Sequence, residues 1–434
     1  MVAATAFECI ECGYRTAKWM GFCPQCRRDG GLHEVAGHAA PKVASSVPTP
    51  LGTAAGAVEH HRSVGIAEID RVLGGGIVPG SAVLVGGEPG VGKSTLLLQL
   101  AAAVAATGAA ALVVSAEESA KQVAMRAKRL GLGGEGVSLL AESDVDVVIA
   151  SAIEERPAVL IVDSIQTVGT RDVDGSPGGV GQVRESGARL VTLAKERGIA
   201  VVIVGHVTKD GSIAGPKILE HMVDVVLYLE GDSSSGLRVL RCLKNRFGPV
   251  QQIGLFEMGG DGMTEMVDPS ATFVAQRAGD VPGSLLFPAV DGRRPLLVEV
   301  QALVSRSTTP QPRRSVKGIE AARVHQLLAV LERHAGLSFS DRDVYVNVVG
   351  GVRLREPAAD LPVALALASS LLDRPALVGA AWGEVGLTGE VRKVPQGDRR
   401  THEVNRLGIT RFVSPDNGGP GRIDGALALA GLRP

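Results

Sequence analysis

The chain has 434 residues, 45% of them hydrophobic, with a mean hydropathy of +0.19. That length predicts two to four domains with sizeable cores. The net charge is −1 and aromatics are only 3%, so neither global charge nor a chain-wide stacking platform supports nucleic-acid binding; any such role must rest on local patches.

The first residues, 1–7, carry no basic segment followed by an apolar run, which predicts no signal peptide and a cytoplasmic protein. Two knuckles follow, Cys9-x-x-Cys12 and Cys23-x-x-Cys26. Their spacing brings four thiolates within tetrahedral reach of one Zn²⁺. Disulfides do not suit a chain without a leader, and a redox motif does not come as a pair outside a βαβ unit. Residues 1–35 thus read as a small metal-folded domain, with Lys18, Trp19, Arg27 and Arg28 as side chains that can meet DNA or a protein, or simply face solvent. Residues 36–60 are rich in Ala, Pro, Ser, Thr and Gly without periodicity, the pattern of a linker. His60 and His61 at its end have no nearby ligand partners and read as surface.

Residues 65–80 predict a short amphipathic helix and a glycine turn. The next stretch, Gly87, Glu88, Pro89, Gly90, Val91, Gly92, Lys93, Ser94, fits G-x-x-x-x-G-K-[ST], with Thr95 after it. An apolar strand precedes it and a helical run follows, the context a P-loop requires. Its glycines let backbone N–H groups wrap phosphate oxygens at a helix N-terminus. Lys93 is expected to reach the β/γ-phosphates of ATP and Ser94 to ligate Mg²⁺. The long apolar stretch 96–116 is broken by Gln99 and Thr107-Gly108, so it reads as a buried helix and strand rather than a membrane span.

From there apolar runs alternate with helical ones. Strands are expected at 110–115, 137–139, 159–162, 199–204 and 225–229, and helices at 119–130, 145–155 and 180–197. Near-continuous Val/Ile/Leu strands between helices predict a parallel sheet covered on both faces. Asp163 ends the strand 159–162 and is expected to hold Mg²⁺. Glu117 and Glu118 sit at the tip of the strand after the P-loop helix. One can polarise the attacking water while the other favours the next helix's N-terminus. His206 ends another strand, as a γ-phosphate sensor or an ordinary polar tip. The Gly-rich stretches 167–187 and 210–217 are candidate mobile loops or plain surface loops. Lys244 and Arg246 share one side of an extended chain, as an arginine-finger-like contact to a neighbour or as a basic hairpin turn. Cys242 reads as a core thiol. Residues 305–317 are basic and Pro-containing, a boundary or loop and a local DNA-contact candidate. Beyond them, helices near 321–334 and 360–371 and strands near 344–349, 376–379 and 411–413 predict a second α/β domain.

Taken together these stretches resemble the bacterial RadA (Sms) family of DNA repair proteins, nearly end to end. The resemblance rests on the four cysteines, Asp70 to Gly76, Gly87 to Thr95, Asp163 to Thr167, Gly215 to Asp224, and above all Lys244-Asn245-Arg246-Phe247-Gly248. The C-terminal part is similar to the peptidase domain of Lon. The resemblance implies a RecA-like P-loop NTPase core (61–280), an N-terminal four-cysteine zinc finger, and a Lon-protease-like α/β domain (281–434). It implies a hexameric ATPase on single-stranded DNA, promoting branch migration of recombination intermediates with RecA. In it Glu117 takes the place of the catalytic Glu, and Lys244 and Arg246 serve ATP use and DNA work. A Lon peptidase needs a Ser and a downstream Lys; here Ala358 and Asp398 take those places, so no dyad forms. The turn at Pro395-Gln396-Gly397 stands where the Lon-like fold expects a regular helix. An ATP-dependent Lon-like protease and a nucleotide-switched clamp are the alternative functions.

Overall fold

A computed structural model describes residues 6–16, 18–35, 60–206, 214–231, 236–275, 277, 279–292 and 294–433. The expected linker lies outside them except for His60, as do residues 210–213 of the second Gly-rich stretch. The chain packs as two compact units, Met1–Val58 and Glu59–Pro434.

The first unit is a three-stranded antiparallel sheet of β1 (Ala6–Cys9), β2 (Arg15–Thr16) and β3 (Leu32–Val35), in the order β2-β1-β3. Its core is small, with Cys9, Cys23 and Leu32 buried and Phe7, Tyr14 and Met20 against them. Three buried side chains are too few to fold a domain of this size, so the metal site must contribute.

The second unit contains two sheets. The larger is built from β4 (Ala82–Gly87), β5 (Ala111–Ser115), β6 (Val137–Ala141), β7 (Val159–Asp163), β8 (Ala200–Val204), β9 (Val225–Gly231), β10 (Leu237–Asn245), β11 (Ile253–Gly259) and β12 (Gly262–Glu265). Its order is β12-β11-β10-β9-β4-β8-β7-β5-β6. The strands from β9 to β6 are all parallel, and β10 to β12 continue the sheet antiparallel from β9. The helices are α1 (Ala67–Leu73), α2 (Lys93–Ala106), α3 (Ala120–Arg129), α4 (Val145–Glu155), α5 (Val180–Arg197) and α6 (Ala214–Met222). Two separate apolar clusters line the faces of the sheet, one under α1 and α2 and one under α4 and α5. Burial on both faces explains why the strands read as unbroken aliphatic runs. α3 starts on a capping box, Ser119 and Gln122 each bonding the other's backbone N–H.

The smaller sheet uses β13 (Ser284–Asp291), β14 (Arg294–Arg306), β15 (Arg314–Lys317), β16 (Arg342–Val348), β17 (Ala380–Ala381) and β20 (Phe412–Val413), in the order β15-β16-β14-β13-β17-β20. A separate two-stranded ribbon joins β18 (Glu384–Val385) and β19 (Val391–Arg392). α7 (Pro269–Ala275) leads into this region. α8 (Ala321–Ala335) and α9 (Asp360–Leu372) follow, then α10 (Gly397–Arg406) and α11 (Ile423–Leu429). α9 is buried from Asp360 to Ser369 and forms the centre of the core. The two sheets are tied by the ion pair of Arg294 on β14 with the buried Glu68 on α1, and by Arg406 on α10, 2.6 Å from Asp268.

Four expectations change here. Residues 305–317 are a loop only over 307–313. Ser305 and Arg306 end β14 and Arg314–Lys317 form an edge strand, with Arg314 bonded to the carbonyls of Phe339 and Arg342. The Gly-rich stretch after Thr167 is pinned rather than loose. The buried Gln182 bonds Thr170, Val173 and Gly175, and Arg189 spans Asp146, Asp172 and Glu185. His61 is half-buried, its Nδ1 3.1 Å from the Gly76 carbonyl. The segment after Pro395 is a regular helix, begun by Gln396 in the left-handed region. None of the described helices is long and apolar enough to cross a membrane.

Candidate nucleotide site

The P-loop turns between the central strand β4 and helix α2, at the C-terminal ends of the parallel strands, where open α/β sheets bind ligands. Two of its glycines are required by contact. A Cβ at Gly87 would stand 2.6 Å from the Leu229 carbonyl oxygen, and one at Gly92 2.3 Å from Met263 Cε. Lys93 is buried, and its Nζ donates to the carbonyls of Gly87 at 2.9 Å and Glu88 at 3.0 Å. Burial holds the lysine pKa below its ordinary value, against the pull of Asp163 and Glu117. A phosphate is the group that would exchange these neutral carbonyls for charge.

Asp163 stands at the end of β7, two strands away from β4 with β8 between. Burial pushes its carboxyl pKa up, and the hydrogen bond from Ser94 opposes that shift. Ser94 and Asp163 therefore already face each other, as two ligands of one Mg²⁺ would. The peptide between Asp163 and Ser164 is cis.

The two glutamates at the tip of β5 divide. Glu118 turns to Arg126 on α3, at 2.5 Å, and its N–H donates to Ser115 Oγ. Glu117 faces the site. Ser164 Oγ donates to its Oε1 at 2.6 Å, and His206 Nε2 lies 3.8 Å from the same oxygen. Burial, then Lys93, lowers the His206 pKa, against the pull of Glu117 and Asp163. Among the described residues His206 Nδ1 and Gln166 Oε1 are buried and find no hydrogen-bond partner, two polar atoms at the strand tips.

Lys244 and Arg246 are not at this site in their own chain. Lys244 lies opposite Val226 on β9, whereas Gly87 lies opposite Leu229. At about 3.3 Å per residue the motif is thus about 10 Å or more down the sheet from the P-loop, towards the other end of the strands. Lys244 Nζ donates to the carbonyls of Glu220 and Val223, each at 2.7 Å, capping the C-terminal end of α6. Arg246 pairs at 3.1 Å with the buried Asp224, whose other oxygen accepts the N–H of Ala82. Asn245 donates to Leu73 O at the end of α1 and accepts from the N–H of Phe247. Both cations do share one side, as the spacing of an extended chain requires. Cys242 is a buried thiol, pushed up to about 11 by desolvation, as suits a core residue.

Sequence reasoning gave no role to Arg238. This buried arginine on β10 donates from Nε to the Val91 carbonyl at 2.9 Å, bracing the P-loop from the antiparallel half of the sheet. The same strand ends in Lys244 and Asn245. The sequence around Arg238, with Arg241 and Lys244 nearby, does not mark it out from the other cations of the strand.

In the first unit the Sγ atoms of Cys9, Cys12, Cys23 and Cys26 all lie within 4.8 Å of one another. Gly13 and Arg27, one residue past each knuckle, take left-handed conformations, so the second knuckle turns on an arginine where the first uses glycine. The four thiolates fit a tetrahedral Zn²⁺. In the smaller sheet Ala358 is buried and offers no nucleophile. Beside it Glu356 is paired with the buried Arg400 of α10 at 2.5 Å, and Arg400 also donates to Pro288 O. Asp360 is likewise bound by Arg323, at 2.7 Å through Nε.

Comparison with known proteins settles the family. The chain is 44% identical to the DNA repair protein RadA of Bacillus subtilis, over 94% of this chain and 92% of that one. With RadA of Escherichia coli the identity is 45%, over 99% and 96%, and with that of Mycobacterium tuberculosis 46%, over 96% and 89%. The chain belongs to the RadA family of DNA repair proteins. Residues 53–212 match the family described as an AAA domain, and residues 7–34 the rubredoxin metal binding domain. A KaiC-like protein from Pyrococcus horikoshii superposes with a TM-score of 0.41 at 21% identity, covering 48% of this chain and all of that one. The RadB recombinase superposes at 0.38 and 25% identity, covering 47% and 99%. As a RadA-family protein the chain is a P-loop ATPase of DNA repair with a zinc ribbon at its N-terminal side.

Proposed function

We propose that this chain is a DNA-stimulated motor ATPase that works as a homo-oligomeric ring, with six subunits, on single-stranded DNA. It drives branch migration of recombination intermediates in the cytoplasm, alongside the recombinase RecA. The ATPase part spans residues 61–280, and residues 281–434 form a peptidase-inactive, Lon-like scaffold for the ring. Gly87 to Thr95 cradle the phosphates of ATP, and Lys93 neutralises the β/γ-phosphates. Ser94 and Asp163 hold Mg²⁺, and Glu117 accepts the proton of the attacking water. Mg²⁺, when bound, screens the phosphate oxygens from the approaching nucleophile.

The observation that carries the ring is the place of Lys244 and Arg246. They belong to the motif most particular to the family, yet they lie at the far end of the sheet from their own P-loop. A cation too far to act in its own chain's site can act in a neighbour's. The test is steady-state phosphate release by the full chain. Single-stranded DNA raises it, and Lys93→Ala abolishes it with and without DNA. DNA-stimulated turnover that survives Lys93→Ala contradicts the assignment.

A further inference from the structure

The catalytic reading of Glu117 needs its carboxylate to be aimed, and one residue does this. β5 and β7 lie side by side, with Ser115 opposite Asp163. Glu117 and Ser164 therefore leave neighbouring strand tips together. Ser164 is wholly buried, and its surroundings fix it. Ala116 N–H donates to Asp163 O at 3.1 Å, Ile165 N–H to Val204 O at 3.0 Å, and Thr167 Oγ1 to Ser164 O at 2.9 Å. The hydroxyl is thus a stationary donor, 2.6 Å from Glu117 Oε1. Glu117 itself is 45% exposed, and among the described residues its other polar contact is His206 at 3.8 Å, beyond a hydrogen bond. Without Ser164 the carboxylate would sample several rotamers. With it, Oε1 is engaged and Oε2 has no bond among the described residues.

We propose that Ser164 is the positioning residue for Glu117. It fixes one carboxylate oxygen so that the other meets the lytic water. Oε2 takes a proton as the water oxygen bonds to the γ-phosphorus. The bond from that phosphorus to the bridging oxygen breaks, and ADP leaves with the electron pair. This inference rests on Glu117 being the base.

The experiment measures kcat and KM for ATP on the full chain with saturating Mg²⁺ and single-stranded DNA. Ser164→Ala lowers kcat by about 10- to 100-fold and leaves KM within about twofold, the loss typical of an outer support residue. Ser164→Thr, which keeps the hydroxyl, retains most of kcat. In a Glu117→Gln background Ser164→Ala has no further effect, because the two residues act as one unit. Should Ser164→Ala lose its melting transition, Ser164→Cys, a weaker donor of similar size, carries the test with an intermediate kcat. A Ser164→Ala turnover equal to or above wild type overturns the proposal, as does the same loss in both backgrounds. If Glu117→Gln alone keeps wild-type turnover, the reading of Glu117 as base fails instead.

Discussion

At the tip of the larger sheet Lys93 is buried and Asp163 half-buried, and neither has an ion partner within bonding distance among the described residues. In the core around the smaller sheet Arg400 and Asp360 are buried, and each is bound by an opposite charge, Glu356 and Arg323. Burial raises the carboxyl pKa in both regions, at Asp163 and at Asp360 alike. In the first no bonded opposite charge among the described residues offsets it, and a phosphate and a cation would; in the second the Arg323–Asp360 and Arg400–Glu356 pairs already supply the opposite charge.

The largest expected effect is at the reactive end. Lys93→Ala lowers ATP turnover by about 100-fold or more, since it removes the main phosphate-facing cation, while the urea unfolding midpoint barely moves. Arg400→Met does the converse. It strands Glu356 and costs roughly 3–5 kcal/mol of stability by urea titration, with kcat at saturating ATP unchanged below the unfolding transition. Arg238→Met joins the two behaviours. It leaves the Val91 carbonyl unpaired, costs about 1–3 kcal/mol, and raises the KM for ATP.

Asp163→Asn sharpens the contrast through pH. The folded pKa of Asp163 is raised, so the native state holds its proton longer than the unfolded chain does. Its cost to stability begins as pH rises through the ordinary aspartate value of 3.8 and is complete above the folded value. In nucleotide-free protein at pH 7, Asp163→Asn therefore raises the melting temperature, and turnover is lost. Below pH 3.8 the stabilising effect vanishes. The smallest effect is Ala358→Ser combined with Asp398→Lys. Casein cleavage stays at background, because the Arg400–Glu356 pair already occupies the neighbourhood in which a dyad would work.

The parallel half of the larger sheet was legible because strands buried on both faces must be aliphatic, and the P-loop must sit between a strand and a helix. Its antiparallel half was not. β10 mixes buried and half-buried residues and carries Arg238, Arg241 and Lys244, so it looks like a polar loop, and β11 is buried only over Ile253 to Phe256. The long strand β14 was missed for the same reason. It crosses from β13 to β16, and its far end is exposed. Asp163 and Lys93 were readable from spacing, and Glu117 was told from Glu118 only by resemblance, whereas Ser164 and Arg238 matter only through neighbours distant in sequence. Lys244 and Arg246 were readable only by resemblance, and the structure adds that they lie about 10 Å or more down the sheet from their own P-loop.

That last point gives the most direct test of an inter-subunit site. Lys93→Ala and Arg246→Gln proteins, each inactive alone, are mixed, allowed to exchange subunits, and assayed for DNA-stimulated phosphate release. A site completed by a neighbour predicts recovered turnover, because some interfaces then pair an intact Lys93 with an intact Arg246. No recovery in mixtures shown to contain both subunits in one particle would contradict the account.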